Sequence, residues 1–202
     1  MFIYVLVVSQ ETETGESYAD MESMKDKLLE VASELVQKRG YNDFSYADLA
    51  GIIGIKTASI HYHFPSKADL GRSLAQRYTK KFMTTLGDPK LPSLKNALEK
   101  YIATFKNSLR SGRMCLCGMI GAEIESVPSE IAEEIKRFFQ ENEVWLISVL
   151  THDGIPLKTA SKLAKTLIAA LEGGMIMARV KQDLKVFDDV AEVMLNNLLR
   201  RD

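Results

Sequence analysis

Few residues in this 202-residue chain are of the kinds that build a metal or catalytic site. It has only two cysteines and three histidines, and it contains no glycine-rich phosphate loop, no His-Glu-x-x-His motif and no Gly-x-Ser-x-Gly motif. Two of the histidines, His61 and His63, are two residues apart on a predicted helix. They therefore point roughly 200° apart and cannot share a metal. We expect no enzyme, no metal site and no cofactor.

Long apolar runs are also scarce. Residues 2–8 are apolar, but seven residues are too few to span a bilayer, and the basic start and cleavage site of a signal peptide are missing. Residues 10–20 are polar and acidic, which is typical of disorder. We expect residues 1–20 to be a disordered extension, or an artefact if Met21 or Met24 is the true start. The alternative is a strand or tail folded onto the rest. The chain is expected to be cytoplasmic, with no membrane partner.

Charge of one sign does not dominate, since the formal net charge is −1. The distribution is uneven, because residues 21–86 carry ten Lys or Arg against seven Asp or Glu, and residues 1–20 carry four acids and no base. A modestly basic segment on a neutral remainder fits local contact with nucleic acid.

Residues 45–67 predict two short helices joined by a tight turn. Ser45 and Asp48 have the spacing of a capping box at the start of the first helix. Gly54 ends that helix, because glycine adopts the left-handed conformation without a steric cost. Pro65 stops the second helix. Two helices with this spacing form a helix-turn-helix.

The second of these helices has the composition of a DNA-reading surface. Only Ile60 and Phe64 are plainly apolar, and no carboxylate occurs in residues 55–68. Such a lack of acids is expected if the partner is a phosphate backbone, which repels anions. An ordinary helical hairpin is the alternative that spacing alone leaves open.

The run from Met24 to Tyr78 resembles the DNA-binding domain of the TetR family of bacterial transcription regulators. The matching pieces are Arg39–Tyr41, Phe44–Ala50, Gly54–Ile55 and, most specifically, Ser59–Lys67 with the sequence SIHYHFPSK. The chain has Lys56-Thr57-Ala58 where the family usually has Ser followed by Lys, Arg or Gly, and it has His61 where Tyr is frequent. These departures leave the operator sequence unpredicted.

The resemblance implies roles for individual side chains on double-stranded DNA. It implies that the base edges are contacted by Thr57, Ala58 and His61. It implies that phosphates are held by Tyr46, Ser59, Tyr62, His63 and Lys67. Thr57 and Ala58 lie at the start of the recognition helix, the end that enters the major groove. The alternatives are that Tyr62 lies partly in the core of the head and that His63 is only solvated.

The remainder of the chain is predicted to be helical, which makes the fold all-α with about nine helices. Predicted helices outside the helix-turn-helix are 23–39, with a capping box of Ser23 and Asp26, then 67–86, 93–111, 113–126, 129–151, 157–181 and 187–201. We expect a three-helix DNA-binding head, residues 21–68, and a helical-bundle body for ligand binding and dimerisation, residues 69–202. Residues 69–86 form the connecting helix, and this division matches a TetR-like architecture.

The last two helices have wide apolar faces, from which we predict a two-fold homodimer joined by a four-helix bundle. The predicted interface residues are Leu163, Leu167, Leu171, Gly174, Met175, Ala178, Val190, Met194 and Leu198. Gly173 and Gly174 would allow the helices of the two copies to approach closely. The alternative is that these faces close only the core of their own protomer.

By the same resemblance, the body binds a small-molecule effector of unknown identity. Adaptable methionines and aromatic rings favour an apolar or aromatic compound. The candidate pocket residues are Tyr101, Phe105, Met114, Cys115, Met119, Phe138, Trp145 and Met175. The alternative is that these side chains only fill the core, as most such side chains in a helical bundle do.

The two cysteines, Cys115 and Cys117, have two interpretations. In the first interpretation, both are small, buried, apolar residues, as free cysteine often is. In the second, Cys115 senses electrophiles or oxidants. Met114–Gly118 is similar to a Cys-Leu-x-Gly block in some TetR-like regulators that respond to such compounds, and Arg113 with a helix N-terminus would favour a thiolate.

Taken together, the sequence predicts a dimeric repressor that is released from a pseudo-palindromic operator by a small molecule. Two alternatives remain. One is a helical small-molecule carrier or scaffold with a non-functional head, and the other is a regulator that senses electrophiles or oxidants through Cys115.

Overall fold

The structure is a computed structural model that describes residues 18–200, and in that range it contains α-helices and no strand. The nine α-helices are α1 Tyr18–Arg39, α2 Tyr46–Ile53, α3 Thr57–His63, α4 Lys67–Leu86, α5 Leu94–Arg110, α6 Leu116–Ala122, α7 Ser129–His152, α8 Leu157–Lys181 and α9 Lys185–Leu199. A single 3-10 turn, Ile124–Ser126, follows α6. The predicted all-α class is confirmed. Most of the predicted disordered extension, residues 1–17, lies outside the described residues.

Most helix ends lie at or within a few residues of the predicted positions, and two predictions at helix N-termini are wrong. Both ends of α4 and of α8 lie where they were predicted. The predicted capping box of Ser23 and Asp26 is wrong, because α1 begins at Tyr18 and Ser23 lies inside it. The predicted helix 113–126 is also too long. The chain turns at Gly112, with a φ of 69°, and the helix begins only after Cys115.

The head is built on α1, whose apolar side packs under the helix-turn-helix. The capping box of α2 is present: Ser45 Oγ accepts from Asp48 N at 3.3 Å, and Asp48 Oδ2 accepts from Ser45 N at 2.7 Å. Gly54 ends α2 in the left-handed conformation with a φ of 81°. Ile60 and Phe64 are buried and fix α3 against α1 and α2. These local signals in the sequence are therefore sufficient to set the angle of α3.

Aromatic side chains fill the core of the body. The ring of Phe82 on α4 lies 5.8, 5.6 and 5.2 Å, centroid to centroid, from Tyr101, Phe105 and Phe138. Trp145 stacks on Tyr101, and its Nε1 donates to the carbonyl of Gly87 at 2.8 Å. This cluster packs α4, α5 and α7 together without leaving space among these rings.

The helices α8 and α9 pack tightly on each other within one protomer. Gly174 makes this contact close, because a β-carbon there would lie 3.4 Å from Phe187 and 3.5 Å from Val190. The neighbouring Gly173 faces outward, with nothing within 4 Å of a β-carbon built on it. Gly174 therefore packs in the core of its own protomer. The sequence had instead suggested a role in the close approach of two copies.

The head is joined to the body mainly through the main chain at the end of α1. Glu123, after α6, accepts hydrogen bonds from the backbone N–H groups of Tyr41 at 2.8 Å and Asn42 at 3.1 Å. Arg179 on α8 donates to the carbonyl oxygens of Gln37 and Lys38. We call these contacts the head–body contacts. They fix the position of α1 relative to α6 and α8.

None of the helices in the described part of the chain is both long and apolar enough to cross a membrane.

Candidate nucleic-acid interface

The recognition helix α3 presents polar side chains to solvent. Thr57, Ala58, Ser59 and His61 are exposed, and Ile60 is the one fully buried side chain of the helix. No acidic residue lies in its first turn. A surface of this kind can meet base edges without an unfavourable charge, so the three predicted base-contacting positions lie together and free on one accessible face.

Tyr46 holds this helix in place. Its hydroxyl lies 2.9 Å from the carbonyl oxygen of Phe64 and 2.6 Å from that of Ser66, and a hydroxyl has one proton to donate. Burial, helped by Asp69, raises the pKa of Tyr46 well above its usual value, so the proton stays in place at neutral pH. The predicted phosphate contact by Tyr46 is therefore replaced by a structural role, because its proton is used inside the head.

The ring of His61 is oriented by two neighbours. It packs edge-on against Tyr46, with 4.8 Å between ring centroids, and its Nδ1 lies 3.2 Å from the carbonyl oxygen of Pro65. Because a carbonyl only accepts, Nδ1 carries the proton in this arrangement. Nε2 of the neutral ring is then left as an acceptor. An acceptor matches the amino groups of adenine N6 or cytosine N4 in the major groove.

Lys67, at the start of α4, is partly exposed beside α3. Its Nζ lies over the rings of Tyr41 at 4.6 Å and Phe44 at 4.5 Å. Burial lowers the pKa of Lys67, and nearby carboxylates led by Glu123 partly oppose this shift. The aromatic rings hold the ammonium group near the surface, at the N-terminus of α4, where a phosphate would also be favoured.

Tyr62, His63 and Lys25 lie beside these residues at the candidate nucleic-acid interface. The rings of Tyr62 and His63 lie 5.3 Å apart, edge to face, and Tyr62 is about half exposed. Sequence reasoning missed Lys25 on α1, whose Nζ lies 5.6 Å from the ring of Phe64 beside the recognition helix. No local signal could have found it, because Lys25 reaches α3 only through the packing of α1.

The predicted effector-pocket residues lie in the core and do not line a crevice between α1, α4 and α5. Seven of its eight residues are buried in the core, and the eighth, Met119, is partly buried. None of the eight lines the crevice of about 270 Å³ that the structure contains between α1, α4 and α5. Trp145 alone lines a different surface groove, beside Pro89 and Val144. The aromatic rings and methionines of this set pack in the core of the bundle.

The physical basis for a reactive thiolate at Cys115 is also absent. Cys115 is buried at the N-terminus of α6 and accepts from Gly118 N at 3.4 Å, but its nearest charged neighbour is Glu172. Burial, and then the charge of Glu172, raise the pKa of the Cys115 thiol well above its usual value. Arg113 pairs with Glu34 at 3.4 Å. The thiol is therefore held neutral, which favours the interpretation of a buried apolar residue.

Most of the predicted dimer-interface residues face the core of their own protomer. Six of its nine residues are buried inside their own protomer: Leu167, Leu171, Gly174, Met175, Ala178 and Leu198. Leu163, Val190 and Met194 are partly exposed. The outward face of α8 has a different apolar stripe at helical spacing, formed by Ala169, Gly173, Ile176, Met177 and Val180. We call it the α8 stripe; its Ile176, Met177 and Val180 are 56, 48 and 77 % exposed.

In the described part of the chain, no three His, Cys, Asp or Glu side chains come close enough to hold a metal ion.

Two family models match this chain, one in its N-terminal part and one in its C-terminal part, and both describe transcriptional regulators. Residues 28–74 match the family model "Bacterial regulatory proteins, tetR family", and residues 92–193 match "Transcriptional regulator LmrA/YxaF-like, C-terminal domain". The second match alone covers half of the chain.

Solved structures and sequence relatives agree with this. A TetR transcriptional regulator from Legionella pneumophila is 38 % identical, with a TM-score of 0.82 over 86 % of this chain and 96 % of that one. A TetR-family regulator from Agrobacterium tumefaciens is 30 % identical, with a TM-score of 0.81 over 88 % and 98 %. The biofilm operon icaADBC negative transcriptional regulator IcaR of Staphylococcus aureus is 40 % identical over 47 residues, 23 % of this chain and 25 % of its own. The chain therefore belongs to the TetR family of bacterial transcription regulators.

Proposed function

We propose that this TetR-family regulator is a dimeric repressor that leaves a pseudo-palindromic operator when a small molecule binds its body. The observation that carries the proposal is the recognition helix. It is fixed by buried Ile60 and Phe64, while Thr57, Ala58 and His61 are exposed on its outer face. A negative regulator among the relatives supports repression as the direction of control.

The α8 stripe supports the dimer. Isolated apolar residues on a surface are ordinary, but a continuous stripe on one helix marks an interaction site. In a two-fold arrangement the stripe of one copy would pack on that of the other, and the open face of Gly173 would allow the two helices to approach closely. Two heads related by such an axis would read two half-sites about 34 Å apart or a multiple of that spacing.

The base-reading role of His61 follows from its fixed ring. The contact of Nδ1 with Pro65 leaves Nε2 as an acceptor, so a half-site should carry an adenine or a cytosine at the contacted position. Lys67 supports binding through charge and carries no sequence information.

Selection of bound fragments from the genomic DNA of the source bacterium tests this proposal directly. The full-length chain should enrich fragments that share an inverted repeat. If no sequence is enriched at about 100 mM salt, the repressor proposal is wrong and a carrier with a non-functional head is favoured.

Two variants then separate the roles inside the head. His61→Ala should weaken operator binding by roughly 1–3 kcal/mol and leave binding to random DNA almost unchanged. Lys67→Ala should weaken both alike and reduce the slope of log K against log salt by about one unit. Circular dichroism checks that each variant is folded. Equal weakening of both DNAs by His61→Ala would show that His61 does not read a base.

A further inference from the structure

One crevice lies where the head, the connecting helix and the body meet. It has a volume of about 270 Å³ and is lined by residues of α1, α4 and α5 and by Arg113. This volume is just below the range of about 300–1,000 Å³ typical of small-molecule sites, so a ligand would be compact. The crevice is not part of the nucleic-acid interface described above.

The charge around the crevice is mostly positive. Arg77, Lys81 and Arg113 line it, against the single carboxylate of Glu30. Lys81 is exposed and makes no ion pair with any residue in the described range. Arg77 pairs with two α1 carboxylates, Asp26 at 3.3 Å and Glu30 at 3.4 Å. Arg113 pairs with Glu34 at 3.4 Å, and partly exposed pairs of this kind contribute little. A ligand anion can therefore compete for all three cations.

The interior of the crevice suits the remainder of a small organic molecule. Its floor includes Leu74, Tyr78 and Phe82, which offer an apolar and aromatic surface. Hydroxyl and amide groups of Thr104, Asn107 and Ser108 line the α5 wall. An apolar floor with a few polar groups and a positive rim matches an amphipathic anion.

We propose that this crevice is the effector site of the regulator and that it binds a compact organic anion, such as an aromatic monocarboxylate. The inference rests on the proposed function, since it names the class of effector and the place where it acts. It replaces the apolar core pocket that the sequence suggested.

The position of the crevice connects ligand binding to the DNA-binding head. An anion that binds Arg77 competes with Asp26 and Glu30, and one that binds Arg113 competes with Glu34. Either loosens α1 from α4 or from the body. Gln37, at the base of the crevice, donates through Nε2 to the carbonyl of Met114 at 2.8 Å, next to α6. Ligand and operator thus favour different positions of α1, which is the differential affinity that release requires.

Titration calorimetry on the full-length chain without DNA tests the site. The probes are 1-naphthoate, its neutral analogue 1-naphthamide and the cation 1-naphthylmethylammonium. 1-Naphthoate should bind one molecule per protomer, at least about tenfold more tightly than either analogue, since a charged hydrogen bond is stronger than a neutral one. If none of the three binds at concentrations up to about 5 mM, or if the neutral amide binds as tightly as the anion, the proposal is wrong.

Variants locate the binding. Lys81→Gln and Arg113→Gln should each weaken 1-naphthoate about tenfold, and Ser108→Leu should abolish binding by filling the crevice. Lys80→Gln is the matched control, because Lys80 is exposed on the same helix and does not line the crevice. Unchanged binding in Lys81→Gln and Arg113→Gln, or an equal loss in Lys80→Gln, would place the site elsewhere.

Fluorescence anisotropy with the selected operator separates this inference from the proposed function. Release by 1-naphthoate in the wild type but not in Ser108→Leu supports both. Binding to the crevice without release retains the anion site and contradicts its role as effector site. If the chain binds an operator and calorimetry shows no crevice-dependent anion binding, the repressor proposal stands and this inference fails.

Discussion

Glu172 allows a quantitative prediction, because this carboxyl group is buried in the body without a positive partner. The titratable groups that face it are Tyr78, Tyr101, Cys115 and Cys117. Its Oε1 is buried with no hydrogen-bond partner among the described residues. Burial raises the pKa of Glu172 from 4.5 to about 7, against a smaller opposing effect of the hydrogen bond with Cys115. The native state therefore keeps the proton that the unfolded chain gives up.

The sign of the pH dependence follows. Between about pH 4.5 and 7 the folded chain binds more protons at this site than the unfolded chain, so the free energy of unfolding falls as the pH rises. A shift from 4.5 to about 7 corresponds to roughly 3 kcal/mol, at about 1.4 kcal/mol per pH unit. Glu172→Gln has nearly the same shape and no charge. It should match the wild type near pH 4.5 and be more stable by up to roughly 3 kcal/mol at pH 8.

Urea unfolding followed by circular dichroism at several pH values measures this difference, at one fixed protein concentration because a dimer's stability depends on it. Glu192→Gln is the matched control, since Glu192 is exposed on the neighbouring α9. Its pH profile should follow that of the wild type. Parallel profiles for the wild type and Glu172→Gln would refute the reasoning, because they would show that Glu172 titrates normally in the folded chain.

Three further predictions concern the dimer, the backbone and the thiols. Val180→Asp should raise the dimer dissociation constant at least about a hundredfold in sedimentation velocity. Val144→Asp on α7 should leave it unchanged, although Val144 is also largely exposed, at 67 % against 77 % for Val180. Gly71→Ala should destabilise the chain by about 1–3 kcal/mol in thermal unfolding, because a β-carbon there would lie 2.7 Å from the ring of Tyr41. Gly51→Ala, with open space around the new methyl group, should stabilise it by up to about 1 kcal/mol. Both thiols should resist Ellman's reagent at pH 8 in the native chain and react fully in denaturant, because both are buried and have a raised pKa. Rapid reaction of the native chain would restore the thiol-sensor hypothesis.

Local signals explain why the head could be predicted in detail. The capping boxes of Ser45 with Asp48 and of Ser66 with Asp69 join residues three positions apart. Gly54 N bonds to the carbonyl of Ala50, four positions earlier, so the sequence alone specifies these ends. The role of Tyr46 could not be predicted in the same way. Its hydroxyl bonds to carbonyls 18 and 20 residues away, a contact that exists only after the head has folded.

The body shows where sequence patterns fail. Helix α8 has apolar residues on two faces, and periodicity does not say which face belongs to the protomer's own core. The larger side chains that suggested a pocket, such as Tyr101 and Phe138, fill the core because rings pack well on rings. The crevice is instead lined largely by polar and charged residues from three distant segments, and only the packing of α1 on α4 and α5 brings them together.

The head–body contacts have a consequence for building hybrid regulators. Arg179 holds the carbonyl groups at the end of α1, and Glu123 holds the N–H groups of the two residues after Gly40. Every head of this shape offers these main-chain groups whatever its side chains are. One local requirement is Gly40, with a φ of 98°, since a β-carbon there would collide with the Glu123 carboxylate. A head with a different operator preference can therefore be transplanted onto this body if it keeps glycine at that position and the side chains of Gln37 and Glu34 that contact Met114 and Arg113. The hybrid would retain the ligand response only if its α1 also keeps the residues that line the crevice, Leu29, Glu30, Ser33 and Gln37.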